Sequence, residues 1–148
     1  MFKHILLPID GSRLALKGAK AGIRLAKSLR ARVTAVYVIP PFMPVAYGDA
    51  AVYVPALSPV EYRRATEKGA RKALAAVEAE AKKARVRWQT RFLTDAQVYD
   101  GILRTARGAK CDAIAMASHG RGGLAGVLLG SETTRVLAHS KVPVLVVR

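Results

Sequence analysis

The chain has 148 residues, 51% of them hydrophobic and 24% charged, which suits one ordinary domain with a full core and argues against disorder or a disulfide-built scaffold. No apolar run approaches the roughly 18 to 20 residues needed to cross a bilayer, the opening Met1-Phe2-Lys3-His4-Ile5-Leu6-Leu7-Pro8 is too short for a signal-peptide core, and a single cysteine allows no intrachain disulfide, so a cytoplasmic protein without membrane insertion is expected. The formal charge of +15 points to nucleic acid, anionic lipid or phosphorylated ligands as partners.

Residues 2–9 are a continuous apolar run closed by Asp10-Gly11-Ser12, the pattern of a strand buried on both faces and central in its sheet. A helix is expected over 12–30, with Ser12 as N-cap and Leu14, Ala21, Leu25 and Leu29 as its apolar face. Opposite them, Arg13, Lys17, Lys20, Arg24, Lys27 and Arg30 recur every three or four residues with no carboxylate among them. This row is either a solvated face or a surface that docks on a polyanion, and no RNA or DNA recognition motif accompanies it. Residues 32–39 are β-branched and apolar and stop at Pro40-Pro41, which predicts a second strand. The stretch 40–57 is too broken by proline for a helix and, with Phe42, Tyr47 and Tyr53, too apolar for a slack linker; it reads as a long loop folded over something.

Ser58-Pro59-Val60-Glu61 combines a capping serine, proline at the first helical position and a glutamate three residues beyond the cap, and predicts a helix running to about Ala84. Residues 85–92 alternate polar and apolar, and their arginines suit a sheet edge. A third helix is expected over 94–107 with Gly108 as its stop, a strand of small apolar residues over 112–117, a fourth helix over 131–139 capped by Ser131, and a last, apolar strand over 142–147. Strict alternation of strand and helix predicts an α/β fold, a five-stranded parallel sheet with helices on both faces, in a single domain over residues 1–148.

In such sheets ligands bind beyond the carboxyl ends of the strands, where consecutive connections leave in opposite directions. Two strand ends carry suitable residues: Pro8-Ile9-Asp10-Gly11-Ser12 and the glycine cluster Ala117-Ser118-His119-Gly120-Arg121-Gly122-Gly123. Glycine lets backbone N–H groups approach a phosphate, and Gly130-Ser131 opens a helix whose free N–H groups also favour an anion. A purely structural turn after the strand accounts for the same glycines. The chain lacks the Gly-Lys-Ser/Thr of a P-loop and has no Gly-x-Gly-x-x-Gly after its first strand, which excludes those two nucleotide-binding classes. Cys111 has no matched histidine or base nearby and reads as an inert, partly buried thiol, while His4 and His139 lack metal-ligand spacing.

Ser118-His119-Gly120, nine residues, then Gly130-Ser131, a short helix and the ending Val142-Pro143-Val144-Leu145-Val146-Val147 resemble the nucleotide loop and tail of universal stress proteins. Ile5-Leu6-Leu7-Pro8-Ile9-Asp10-Gly11-Ser12 resembles that family's first strand and turn, so the similarity covers essentially the whole chain. It implies a Rossmann-like, adenine nucleotide α-hydrolase-like sheet in the order 3-2-1-4-5. It also implies a homodimer paired through strand 142–147, and a stress-response sensor or regulator that binds ATP or a related adenine nucleotide such as AMP or ADP, with any Mg²⁺ arriving on the nucleotide.

Carried over by the resemblance, Gly120, Gly130 and Ser131 contact phosphates, Asp10 approaches the ribose, and Pro8, Ile9 and Val38 wall the adenine near Met116. Ala117, Ser118, His119, Arg121, Gly123, Glu132 and Thr133 complete the expected contact set. Ala117 departs from the family pattern, which has glycine there; with a negative φ it keeps a backbone N–H contact, and its methyl group crowds the sugar, so weakened or altered binding is expected. Asp10 also suits a helix cap, Arg121 a solvated side chain, and His119 a solvent-facing loop position, a phosphate neighbour or an acid–base group without a spaced partner. Two other functions stay open: slow ATP hydrolysis or phosphotransfer, which lacks an evident base, and a basic module for nucleic acid or anionic surfaces without nucleotide control.

Overall fold

Along the described residues the elements run β1 (His4–Ile9), α1 (Arg13–Leu29), β2 (Arg32–Ile39), α2 (Pro59–Ala84), β3 (Trp88–Thr94), α3 (Val98–Gly108), β4 (Ala113–Ala117), α4 (Ser131–His139) and β5 (Val144–Val147). The computed structural model describes residues 1–42, 58–119 and 129–148, and its strands form one parallel sheet in the order β3-β2-β1-β4-β5. The expected α/β class, strand count and order are therefore those observed. Most of the long loop expected over 40–57 lies outside the described residues.

All six residues of β1 are buried, as its unbroken apolar run requires. On one face Ile5, Leu7 and Ile9 pack with Ala19 and Ile23 of α1 and Leu74 and Val77 of α2. On the other, Leu6 joins Val36, Val38, Ile114 and Met116 beneath Ile102 of α3 and Val136 of α4. Each large side chain buried in this way contributes about 1.5–3 kcal/mol.

The buried face of α1 differs from expectation. Leu14, Ala21, Leu25 and Leu29 are only partly buried, and the face against the sheet is Ala15, Gly18, Ala19, Gly22, Ile23 and Ala26. Small residues let the helix lie close to the strands: a Cβ on Gly18 would stand 2.8 Å from the backbone nitrogen of Ala117, and one on Gly22 would overlap the Leu7 side chain. The leucines flank this contact instead of forming it.

Local chemistry sets the helix ends. Ser58 and Glu61 form a reciprocal capping box, with Pro59 at the first helical position. At the other end Arg85 takes a left-handed conformation (φ 59°), which delays β3 to Trp88 instead of the expected residue 85. Gly108 remains inside α3 and the left-handed turn falls on Lys110 (φ 54°), so Gly108 is not the stop. The start of α3 moves to Val98 because Asp95 Oδ1 accepts the Gln97 N–H at 3.0 Å and folds 95–97 into a turn. β3 is an edge strand, as its alternation predicts, and no helix among the described residues is long and apolar enough to cross a membrane.

At the amino end of the sheet, Asp112 accepts the Lys3 and His4 N–H groups at 2.8 and 3.0 Å. Partial burial raises its pKa, but these amide bonds outweigh it and hold the carboxyl below its ordinary value. Cys111 is buried, and its thiol is pushed up to about 11 by burial and the neighbouring Asp112 charge, so it is inert at neutral pH as expected.

Candidate functional site

β1 and β4 are neighbours, so their carboxyl ends open side by side with the start of α4. This is where the sheet's connections diverge, because β2 and β3 lie to one side of β1 and β4 and β5 to the other.

At the end of β1, Gly11 has φ +85°, the left-handed conformation that suits glycine. The turn is braced by Asp10, whose Oδ1 accepts the Ser12 N–H at 2.9 Å, while Ser12 Oγ caps α1 by accepting the Ala15 N–H at 3.0 Å. The cap of α1 therefore belongs to Ser12, and Asp10 holds the turn before it.

At the end of β4, Ser118 is 2% exposed and pinned three ways. Its N–H donates to Val147 C=O at 2.8 Å, its C=O accepts the Gly130 N–H at 2.7 Å, and its Oγ lies 3.0 Å from His119 Nδ1. The Gly130 bond ties the two ends of the glycine segment together at the mouth of the sheet. Gly120, Arg121 and Gly123 lie outside the described residues.

Gly130, not Ser131, is the N-cap of α4, and Ser131 is the first helical residue. A glycine cap offers no side-chain acceptor. Ser12 and Ser58 cap α1 and α2, and in α3 the Tyr99 N–H donates to Glu132 Oε2 at 2.8 Å. Among the described residues no side chain caps the first turn of α4, and its amino end, with the positive end of its dipole, stands beside the tip of β4.

Two expected ligand contacts carry fold-holding bonds. Glu132 braces α3 through Tyr99 and also lies 3.5 Å from Arg135, and Thr133, 3% exposed, donates its hydroxyl to Ala117 C=O at 3.0 Å. Thr133 thereby fixes α4 to the tip of β4.

The proposed adenine wall splits between the two faces of the sheet. Val38 and Met116 share the α3–α4 face, whereas Ile9 packs with the α1–α2 core, so its side chain points away from the other two. Strand alternation gives this directly, since Ile9 follows Leu7 and Ile5 at every second position. Val38 is covered by Gly101 of α3, where a Cβ would stand 2.9 Å from Val38 Cγ1. Gly18 and Gly101 set how tightly helices close on the site, and sequence reasoning gave neither a role; a glycine inside a helical pattern was the available signal.

Ala117 is a strand residue of β4 without positive φ, so the left-handed conformation reserved for glycine is not required of it. It follows Ala113 and Ala115, which belong to the α1 side, and its backbone is the one Gly18 approaches. Its methyl group is thus on the opposite face from Met116. No cluster of three or more metal-binding side chains occurs among the described residues.

Comparison with known proteins agrees with this architecture. The profile of the universal stress protein family matches residues 1–148. A universal stress protein of Methanocaldococcus jannaschii is 32% identical over 150 residues, covering 100% of this chain and 83% of that protein. The structure of the universal stress protein UspA from Lactobacillus plantarum superimposes with a TM-score of 0.77 at 24% identity, covering 99% of this chain and 97% of the other. A universal stress protein in complex with cAMP gives 0.72 at 22% identity over 99% and 97% of the two chains, and one from Archaeoglobus fulgidus in complex with dAMP gives 0.62 at 15% over 100% and 98%. The chain belongs to the universal stress protein family.

Proposed function

We propose that this protein binds an adenine nucleotide, ATP or a relative such as AMP or ADP, beyond the carboxyl ends of β1 and β4, and works as a homodimeric, nucleotide-responsive regulator in the stress response. The observation that carries the reading is the first turn of α4, which no described side chain caps, joined to the tip of β4 by the Gly130–Ser118 hydrogen bond in a chain with the family's glycine spacing. Related structures that hold cAMP and dAMP support the ligand class.

In this reading phosphates take the amides of Ser131 and its successors together with Gly120, Gly123 and Arg121. Asp10 receives the ribose, and Pro8, Val38 and Met116 flank the base. Backbone atoms of Ile9, Ala117, Ser118 and His119 complete the contacts, while Glu132 and Thr133 hold α4 at the correct height. Mg²⁺ comes with a triphosphate, because its oxygens supply the hard ligands such an ion prefers. Regulation requires that the nucleotide bind one state of the protein better than another. Calorimetry with ATP, AMP and cAMP, and chromatography of any nucleotide released from purified protein, test the reading. Absence of heat and of thermal stabilisation at millimolar ligand and low ionic strength overturns it.

A second reading rests on α1. Lys20 pairs with Glu80 at 3.1 Å, but Arg13, Lys17, Arg24 and Lys27 stand exposed without an ion pair to any described residue. With exposed Arg30 at the C-cap, the row offers a polyanion five charges that no described carboxylate pairs, the first four of them within α1. Nucleic-acid binding that falls steeply with salt, and is lost when these four become glutamate, would favour it over nucleotide control.

A further inference from the structure

Residues 90–93 of β3 line an open groove of about 750 Å³ together with Arg71 and Leu74 of α2 and Arg104 and Thr105 of α3. Consecutive strand residues point to opposite faces of a sheet, and α2 and α3 cover opposite faces. A single groove that touches all of them must run along the outer edge of the strand.

The backbone groups on that edge can be assigned. Val33 N–H donates to Arg87 C=O at 2.9 Å and Asp95 N–H donates to Ile39 C=O at 3.1 Å. With the register from Val33↔Trp88 to Ile39↔Thr94, the odd-numbered residues of this strand turn their N–H and C=O groups to β2. Trp88, Thr90, Phe92 and Thr94 turn theirs outward, and no described strand pairs with them. Thr90 and Phe92 lie within the groove.

The groove is basic. Arg71 lies over the Phe92 ring at 5.0 Å, Arg104 is exposed and forms an ion pair with Asp95 just past the strand, and Arg91 makes no ion pair with any described residue. The carboxylate on its wall, Glu78, is held by Lys82 at 3.0 Å. Such an edge repels a second copy, because pairing β3 with β3 brings Arg87 and Arg91 against their equivalents. Nucleic acid meets the charge but cannot supply alternating backbone donors and acceptors to Thr90 and Phe92.

We propose that the β3 edge receives an extended acidic peptide segment of a partner protein, added as a sixth strand whose backbone pairs with Thr90 and Phe92 and whose carboxylates meet Arg71, Arg91 and Arg104. The site lies on the outer edge of β3, two strands from β1, and does not draw on the nucleotide crevice.

A labelled octapeptide alternating glutamate with valine is the probe, read by anisotropy, by the fluorescence of the chain's one tryptophan, Trp88, and by amide hydrogen exchange. Binding with protection of the Thr90 and Phe92 amides is expected. Two variants should lower affinity by about tenfold or more: Arg71→Glu/Arg91→Glu/Arg104→Glu, which removes the charge match, and Thr90→Pro, which removes an outward N–H without touching the ladder to β2. Circular dichroism and thermal melting establish that each is folded, and the two are independent, so failure of one to fold leaves the other. The proposal is overturned if a backbone N-methylated peptide binds equally well, if the folded variants bind unchanged, if protection appears at β5, or if oligothymidylate binds the groove and the peptide does not.

Discussion

Gly18 and Gly69 are both helical glycines with opposite expected responses to alanine. A Cβ at Gly18 meets the Ala117 backbone at 2.8 Å, an atom that cannot swing aside, whereas at Gly69 there is nothing within 4 Å. Gly18→Ala should cost about 1–3 kcal/mol by overpacking and, by displacing the tip of β4, weaken the proposed nucleotide binding. Gly69→Ala should stabilise by about 0.5–1 kcal/mol through the gain in helix propensity and leave binding unchanged. Denaturant melts with paired ligand titrations measure both. His4 gives a prediction about pH. It is buried with Nε2 2.7 Å from Thr34 Oγ1, and burial, then the Arg32 charge, holds its pKa below the ordinary 6.5. Between that depressed value and 6.5 the unfolded chain binds more protons than the folded one, so stability is full above 6.5 and falls as pH drops through the window. Melting temperatures from pH 7.5 to 5 should show this decline, and His4→Gln should flatten it. Asp112 loses its contribution only at lower pH, since its depressed carboxyl stays ionised throughout that range.

Element by element, the sequence was legible where short-range chemistry decides. The start of α2 follows from Ser58, Pro59 and Glu61, and β2 from β-branched residues closed by Pro40-Pro41. It misled where tertiary contact decides. The largest apolar residues of α1 do not make its buried face, because closeness to the sheet selects glycine and alanine there. Arg85 and Lys110 adopt left-handed turns that a search for glycine passes over. At the site, the strand ends and Gly130 were readable from spacing, but the division of Ile9 from Val38 and Met116 required strand parity to be followed residue by residue. Glu132 makes the element scale testable. Glu132→Ala removes the acceptor of the Tyr99 N–H and should destabilise by about 1 kcal/mol, while Glu132→Gln, which keeps an acceptor oxygen, should recover most of it. If affinity for nucleotide falls further than these stability changes explain, Glu132 also touches ligand.

At the scale of the molecule the sheet has unlike borders. β5 is apolar, with Leu145 44% exposed, and β3 is basic. In the proposed homodimer paired through β5, Leu145→Glu should shift the equilibrium toward monomer by about tenfold or more in dissociation constant, measured by sedimentation, because a charge placed in an apolar seam is left without a partner. The net charge of +15 was readable at once, yet its distribution over α1, α2 and β3 needed the fold, since Lys20 is matched by a carboxylate sixty positions along the chain.

The hydrogen bond from Gly130 to Ser118 fastens the start of α4 to the tip of β4 whatever residues lie between them in sequence. Insertions between those two positions should therefore cost the scaffold little, since each doubling of loop length costs only about 0.6 kcal/mol. Under the proposed nucleotide reading, what the protein grips and how well it is built are thereby separable traits.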